Sequence, residues 1–136
     1  MASTPKHKAL ENTCFFTWLD EFGICHTEVK ENSVIELKDA VENKEDVLTI
    51  AGEKIPPILV DLRKIKSISK EARDYFAMKN RKPGVKAIAM LIKSPVSKII
   101  GNFFLGINLP SVPTKLFNSE TKALNWLKEN HTERKQ

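Results

Sequence analysis

The chain has 136 residues, 41% hydrophobic and 29% charged, with a formal net charge of +5. That length suits one domain with a real core, and no apolar run approaches the ~20 residues of a membrane span. The positive charge suits weak attraction to anionic partners, but it is not gathered into a nucleic-acid-binding arm and no aromatic–basic RNA-binding motif is present.

Residues 1–12 read as a flexible tail. The polar start "MASTPKHKALENT" has no apolar stretch of the signal-peptide kind, so a cytoplasmic location is expected. "CFFTWLDEFGICHTEV" alternates around an Asp-Glu-Phe-Gly turn and predicts an antiparallel hairpin. Pairing Leu19 with Ile24 puts Cys14, Phe16, Trp18, Cys25, Thr27 and Val29 on the expected core face. That pairing separates Cys14 from Cys25 by roughly 13 Å, too far for a disulfide. Neither cysteine has zinc-ligand or CxxC spacing, so both read as small buried hydrophobes.

"ELKDAVENKEDVLTIAG" predicts a helix, with Leu37, Ala40, Val41, Val47, Leu48 and Ala51 at helical spacing and Gly52 as its C-terminal cap. "ILVDL" is a short apolar run that suits a strand covered on both faces. In "DLRKIKSISKEARDYF", Ser69 predicts the cap of a second helix whose inner stripe holds Ala72, Tyr75 and Phe76, ended by Pro83-Gly84. "VKAIAMLI" is a second buried strand. "SPVSKIIGNFFLGIN" opens a third helix with Ser94 as cap and Pro95 at its first position. Val96, Ile99, Ile100, Phe103, Phe104 and Ile107 form its expected inner stripe. "PTKLF" gives a last strand and "SETKALNWLKEN" a last helix, capped by Ser119, with Ala123, Leu124 and Leu127 inward. Residues 131–136 read as a second tail.

The order β-β-α-β-α-β-α-β-α implies one α/β domain over residues 13–130. It predicts a mixed, mostly parallel sheet of about five strands flanked by helices.

Three stretches, "PPILVDLRKIKSISKEAR", "KAIAMLIKSPVSKIIGNFFLGI" and "PTKLFNSETKALNWL", give the chain a resemblance to a known family. It resembles the STAS-like, or SpoIIAA-like, superfamily of anti-sigma-factor antagonists, and within it the uncharacterised bacterial STAS/SEC14-type branch. The resemblance implies an α/β fold and a role in binding proteins or small ligands. In bacterial antagonists a serine about nine residues after the strand-ending Asp-Leu is phosphorylated, and this blocks partner binding. Counting from Asp61, that position holds Lys70, and Ser69 stands where the family usually has aspartate.

The expected function is therefore a non-catalytic regulatory domain that binds an unidentified protein partner. Asp61, Arg63, Lys66, Ser67, Ser69, Lys70 and Arg73 form one candidate surface, suited to an anion or acidic partner. Ile99, Ile100, Phe103, Phe104, Leu105 and Leu109 form a second, for a protein interface or a small apolar, lipid-like ligand. Gly101 and Gly106 sit among them as poor helix formers, which points to close packing, either with another molecule or in a tightly buried helix end folded under the loop at 108–112. Self-association is expected through the hairpin edge or this helix. No cofactor or metal is expected. His7 and His131 fall in the tails, so His26 beside Glu28 is the one candidate for proton transfer, and the bland reading makes it a surface histidine.

Overall fold

The computed structural model describes residues 9–52, 56–79, 86–106 and 112–130. The expected helix end at Pro83-Gly84, and Ile107 and Leu109, lie outside those residues.

The chain begins its sheet earlier than the expected boundary. Strand β1 (Leu10–Glu11) pairs antiparallel with β2 (Phe15–Leu19). Asn12 fixes the corner between them, its Oδ1 accepting the backbone N–H groups of Cys14 and Phe15 at 3.0 Å each. The outer edge of the hairpin at Phe16 and Thr17 is thereby taken by β1, which corrects its expected role as an open edge.

β2 pairs with β3 (Cys25–Val29), Leu19 lying opposite Cys25 rather than Ile24. The difference comes from the turn. Asp20 N–H bonds Ile24 C=O at 3.0 Å, so the loop proper is three residues and closes with Gly23 at φ 82°. A three-residue loop with a left-handed third residue is a standard hairpin form. It moves the register by one and turns β2 over. Phe15 and Thr17 join Cys25, Thr27 and Val29 on one face, while Phe16 and Trp18 join His26 and Glu28 on the other. The two cysteines are free and buried.

Beyond β3 the sheet is parallel: β5 (Ile58–Asp61), β7 (Ile88–Leu91) and β8 (Thr114–Phe117) follow in order. The main sheet thus has six strands, one more than expected, in the order β1-β2-β3-β5-β7-β8. A separate two-stranded parallel piece joins β4 (Val34–Ile35) to β6 (Ser67–Ile68).

Helices α1 (Leu37–Ala51), α2 (Lys70–Lys79) and α3 (Pro95–Leu105) cover one face of the sheet. The core there joins Phe15, Val29, Ile88 and Met90 to Ala40, Ala72, Ile100 and Phe104. Helix α4 (Glu120–Asn130) covers the other face, where Ala123 and Leu127 pack on Ile24, Leu59, Ala89 and Leu91. All four residues of β7 are buried, as expected for the strand between two covered faces.

The stripe of α1 differs from the expectation. Ala40, Asn43 and Val47 face inward, whereas Leu37 and Leu48 are exposed. Asn43 is buried because its amide donates to Thr17 Oγ1 at 3.3 Å, a cost of burial offset by a hydrogen bond. Gly52 ends the helix as expected, at φ 77° and with its N–H bonded to Leu48 C=O.

Candidate functional site

The loop from β5 to α2 is built by its own side chains. The Asp61 carboxylate accepts Arg63 N–H at 3.0 Å and the Arg63 guanidinium at 2.9 and 2.8 Å. The same guanidinium reaches Glu120, at the start of α4, at 3.4 Å. The hydrogen bond to Asp61 is the largest influence holding Arg63 above its ordinary pKa, against the opposing effect of burial. Asp61 therefore caps the turn and Arg63 links it to the start of α4, so both charges already have partners within the fold. Past them, Ile65 and Ile68 are buried and anchor the loop, and Lys66 N–H bonds Ser33 C=O at 2.9 Å.

The remaining residues of the basic set divide. Lys66 and Ser67 are exposed. Ser69 is half-buried, and its Oγ accepts Ala72 N–H at 3.1 Å, the expected N-cap bond. Lys70 is exposed and pairs with Asp74 at 2.8 Å one helical turn on. Arg73 donates to Ile68 C=O at 3.2 Å and lies over the Phe103 ring, 5.1 Å from its centroid. That contact brings the two candidate surfaces together.

Helix α3 starts as its sequence dictates, with Ser97 N–H bonded to Ser94 Oγ at 3.0 Å and Pro95 in the first turn. Its orientation is not the expected one. Ser97, Ile100, Gly101 and Phe104 face inward. Val96, Ile99 and Phe103 lie toward solvent, Ile99 being 71% and Phe103 40% exposed. Leu105 is also exposed. Of the second candidate set, Ile100 and Phe104 belong to the core, Ile99, Phe103 and Leu105 to the surface, and Leu109 lies outside the described residues. The glycines are not equivalent. A Cβ on Gly101 would stand 3.0 Å from Ile92 Cγ2 and 3.2 Å from Leu116 Cδ2, so its smallness serves packing within the chain.

Beneath these helices, a cavity of about 90 Å³ lies between α1, α2, α3 and the sheet, and of the second candidate set Phe104 lines it.

His26 is not a surface histidine. It is buried in an inner strand, stacks on Trp18 with centroids 4.7 Å apart, and bonds Asp20 at 2.8 Å. Burial is the largest single influence on Asp20 and opposes its ionisation. The hydrogen bonds from His26, Ile24 and Phe22 together outweigh it and leave the pKa lowered. Asp20 thereby holds both the turn and the histidine. Sequence pattern could not show this pair, because it depends on the three-residue loop. Among the described residues no three His, Cys, Asp or Glu side chains form a group able to hold a metal ion, and no helix is long and apolar enough to cross a membrane.

No curated protein matches the chain. Two solved structures are similar at the level of fold. An uncharacterised protein of the DUF3478 family with a SpoIIAA-like fold, from Shewanella loihica PV-4, aligns with TM-score 0.60 and 13% identity over 87% of this chain and 98% of that one. An anti-sigma factor antagonist from Mycobacterium paratuberculosis aligns with TM-score 0.61 and 14% identity over 93% of this chain and 99% of that one. A protein of unknown function from Arthrobacter sp. FB24 is 34% identical over 82% of this chain and 96% of that one, with TM-score 0.32. The SpoIIAA-like fold implied by the sequence is therefore the fold observed. The model of the family described as Domain of unknown function (DUF7793) matches residues 17–131, and the chain belongs to that family.

Proposed function

We propose that the chain is a non-catalytic regulatory domain that binds a protein partner across α2, the preceding loop and the outward face of α3. One observation carries the reading: Arg73 lies over Phe103. It joins the exposed cations Lys66 and Lys70 to the exposed apolar side chains Val96, Ile99 and Phe103 in one surface. An apolar centre flanked by flexible cations fits a partner with an apolar anchor and an acidic rim. The likeness in fold to an anti-sigma factor antagonist supports this reading. At the position where the anti-sigma-factor antagonists that the sequence resembles carry a phosphorylated serine, this chain has Lys70, so in this reading regulation does not run through that residue.

The test is affinity capture from the native cell with three proteins: the wild-type chain, Lys66→Glu/Lys70→Glu, and Ile99→Glu. Arg63 is left intact because it is paired within the fold. A partner retained by the wild type and lost by both variants supports the surface. An unchanged set of captured proteins overturns it. If the species lost with Ile99→Glu is a second copy of this chain, seen as a dimer by light scattering, the apolar stripe is a homodimer interface.

A further inference from the structure

The interior under α1, α2 and α3 holds an amphipathic cavity. Its volume is about 90 Å³, and Val60, Met90, Val47, Phe76 and Phe104 contribute to its walls. One end is polar. Thr27 lines it, is 3% exposed, and carries a hydroxyl with no hydrogen-bond partner. Asn43 stands at the same end. Its amide nitrogen is engaged by Thr17, the cross-strand neighbour of Thr27, so its carbonyl oxygen is the group left to accept. Lys44, half-buried on α1, lines the same cavity. The opposite end, toward Met90 on β7 and Phe104 on α3, is apolar.

Buried hydroxyls nearly always have a partner, and one without it costs desolvation with no return. Valine would fill the same volume at position 27 without that cost. A single water suits the polar end, because Thr27 and Asn43 supply the two polar contacts it needs, but the volume exceeds one water and, Lys44 apart, the remaining lining side chains are apolar.

We infer that this cavity is a binding site for a small neutral amphiphile of about five non-hydrogen atoms. A hydroxyl or carbonyl head exchanges hydrogen bonds with Thr27 and Asn43, and a short unbranched tail lies toward Met90 and Phe104. The site lies beneath the partner surface and not in it, since Phe104 faces it from the inner side of α3 while Phe103 lies on the outer side.

The experiment is a methyl-resolved NMR titration of the full chain with 1-butanol, and separately with xenon as a smaller apolar probe of the same cavity. Wild type, Thr27→Val and Thr27→Ser are compared, with a thermal melt of each. The expected result is saturable 1-butanol shifts at the methyls of Thr27, Val47 and Met90. Thr27→Val weakens 1-butanol about tenfold, the worth of one hydrogen bond, and leaves xenon unchanged. Thr27→Ser keeps 1-butanol within about threefold. Without ligand, Thr27→Val melts higher than wild type, because an orphan hydroxyl is removed. Three results would each overturn the inference: no saturable 1-butanol shift, equal 1-butanol affinity in wild type and Thr27→Val, or a lower melting point for Thr27→Val. The last would place the hydroxyl's partner within the fold or in one ordered water.

Discussion

The guanidinium of Arg73 lies 5.1 Å from the centroid of the Phe103 ring and couples α2 to α3 across the surface of the molecule. Phe103 in turn meets Phe104 edge-on at 5.2 Å, and Phe104 meets Phe76 of α2 at 6.4 Å, so the contact continues into the core. A double-mutant cycle with Arg73→Ala and Phe103→Ala, followed by urea unfolding, is expected to give a coupling of about 0.5–1 kcal/mol. The same substitutions should weaken partner binding by more than they destabilise the fold. If binding is unchanged while the coupling is present, the contact is structural and the partner docks elsewhere.

Ser69 holds the start of α2. Its Oγ bond to Ala72 N–H is the one that alanine cannot make. Ser69→Ala is expected to cost on the order of 1 kcal/mol by thermal or chemical denaturation while leaving partner affinity nearly intact. Ser69→Asp supplies both a capping oxygen and a negative charge at the positive end of the helix, so it should be neutral or stabilising. Loss of partner binding in Ser69→Asp but not in Ser69→Ala would point to a phosphate switch at Ser69, one residue from the serine position of the antagonists that the sequence resembles.

The parts of the fold legible in the sequence are those set by local chemistry. Ser69, Ser94 and Ser119 start their helices as expected, their hydroxyls accepting from Ala72, Ser97 and Lys122. The buried strands at Ile58–Asp61 and Ile88–Leu91 show as apolar runs between turn signals. What misled is polarity taken as a guide to orientation. Ser97 faces the core because its hydroxyl donates to Ser94 C=O and accepts Lys93 N–H, each at 2.8 Å, so it is satisfied without water. Gly101 faces inward, where the side chains of Ile92 and Leu116 crowd the space a Cβ would take. With these two inside, α3 turns Ile99 and Phe103 outward, which a count of apolar residues does not foresee. The hairpin failed for a related reason: alternation gives the period of a strand, while the turn decides which face is buried. The pairing of Arg63 with Asp61 and Glu120 was not legible either, since nothing in the loop's composition separates a paired cation from a free one.

Acid stability should depend on Asp20. Its folded pKa lies below the ordinary aspartate value. A carboxyl lowered by folding stabilises the native state above its unfolded pKa, about 3.9, and that contribution fades as pH falls through the lower folded value. Wild-type stability in urea should therefore drop below about pH 4, and Asp20→Asn should flatten that drop. At pH 7 the asparagine variant should be less stable by on the order of 1–2 kcal/mol, because hydrogen bonds to a charged acceptor are replaced by neutral ones. An acid limb of the same steepness in both proteins would assign it to other carboxylates.

Neither cysteine should behave as a reactive thiol. Burial pushes Cys25 up to about 12, with the Asp20 charge adding to the effect. Burial first and the nearby Asp39 carboxylate second raise Cys14 as well. The thiolate is the reactive form, so both are protected by protonation as well as by access. In the native protein at pH 8, an aromatic disulfide reagent should titrate no thiol from these two positions on the timescale on which it titrates both in urea. Rapid reaction of Cys14 under native conditions would show that the segment joining β1 to β2 opens locally.

Gly101 decides between packing inside the chain and packing against another molecule. Alanine there should be near neutral in stability. It gains about 1 kcal/mol of helix propensity over glycine, but its Cβ meets Ile92 Cγ2 at 3.0 Å and Leu116 Cδ2 at 3.2 Å. Leu116 Cδ2 is the end of a flexible side chain and can give by a few tenths of an ångström, while Ile92 Cγ2 is the branch methyl of a stiffer β-branched side chain, so the tight contact offsets the gain in propensity. Valine adds two further carbons in the same narrow space and forces α3 away from β7 and β8. Gly101→Val should therefore lose about 1–3 kcal/mol in urea unfolding, the usual cost of overpacking. Gly106 is a useful contrast, because its φ is −76°, in the ordinary helical region, and its nearest neighbour beyond the adjoining residues is Asn102 C=O of its own turn. Gly106→Ala should change stability little and leave partner binding unaltered. If instead Gly101→Val kept full stability and abolished partner binding, the small residue would be serving the partner. The inward face of α3 would then have to turn outward when that partner binds.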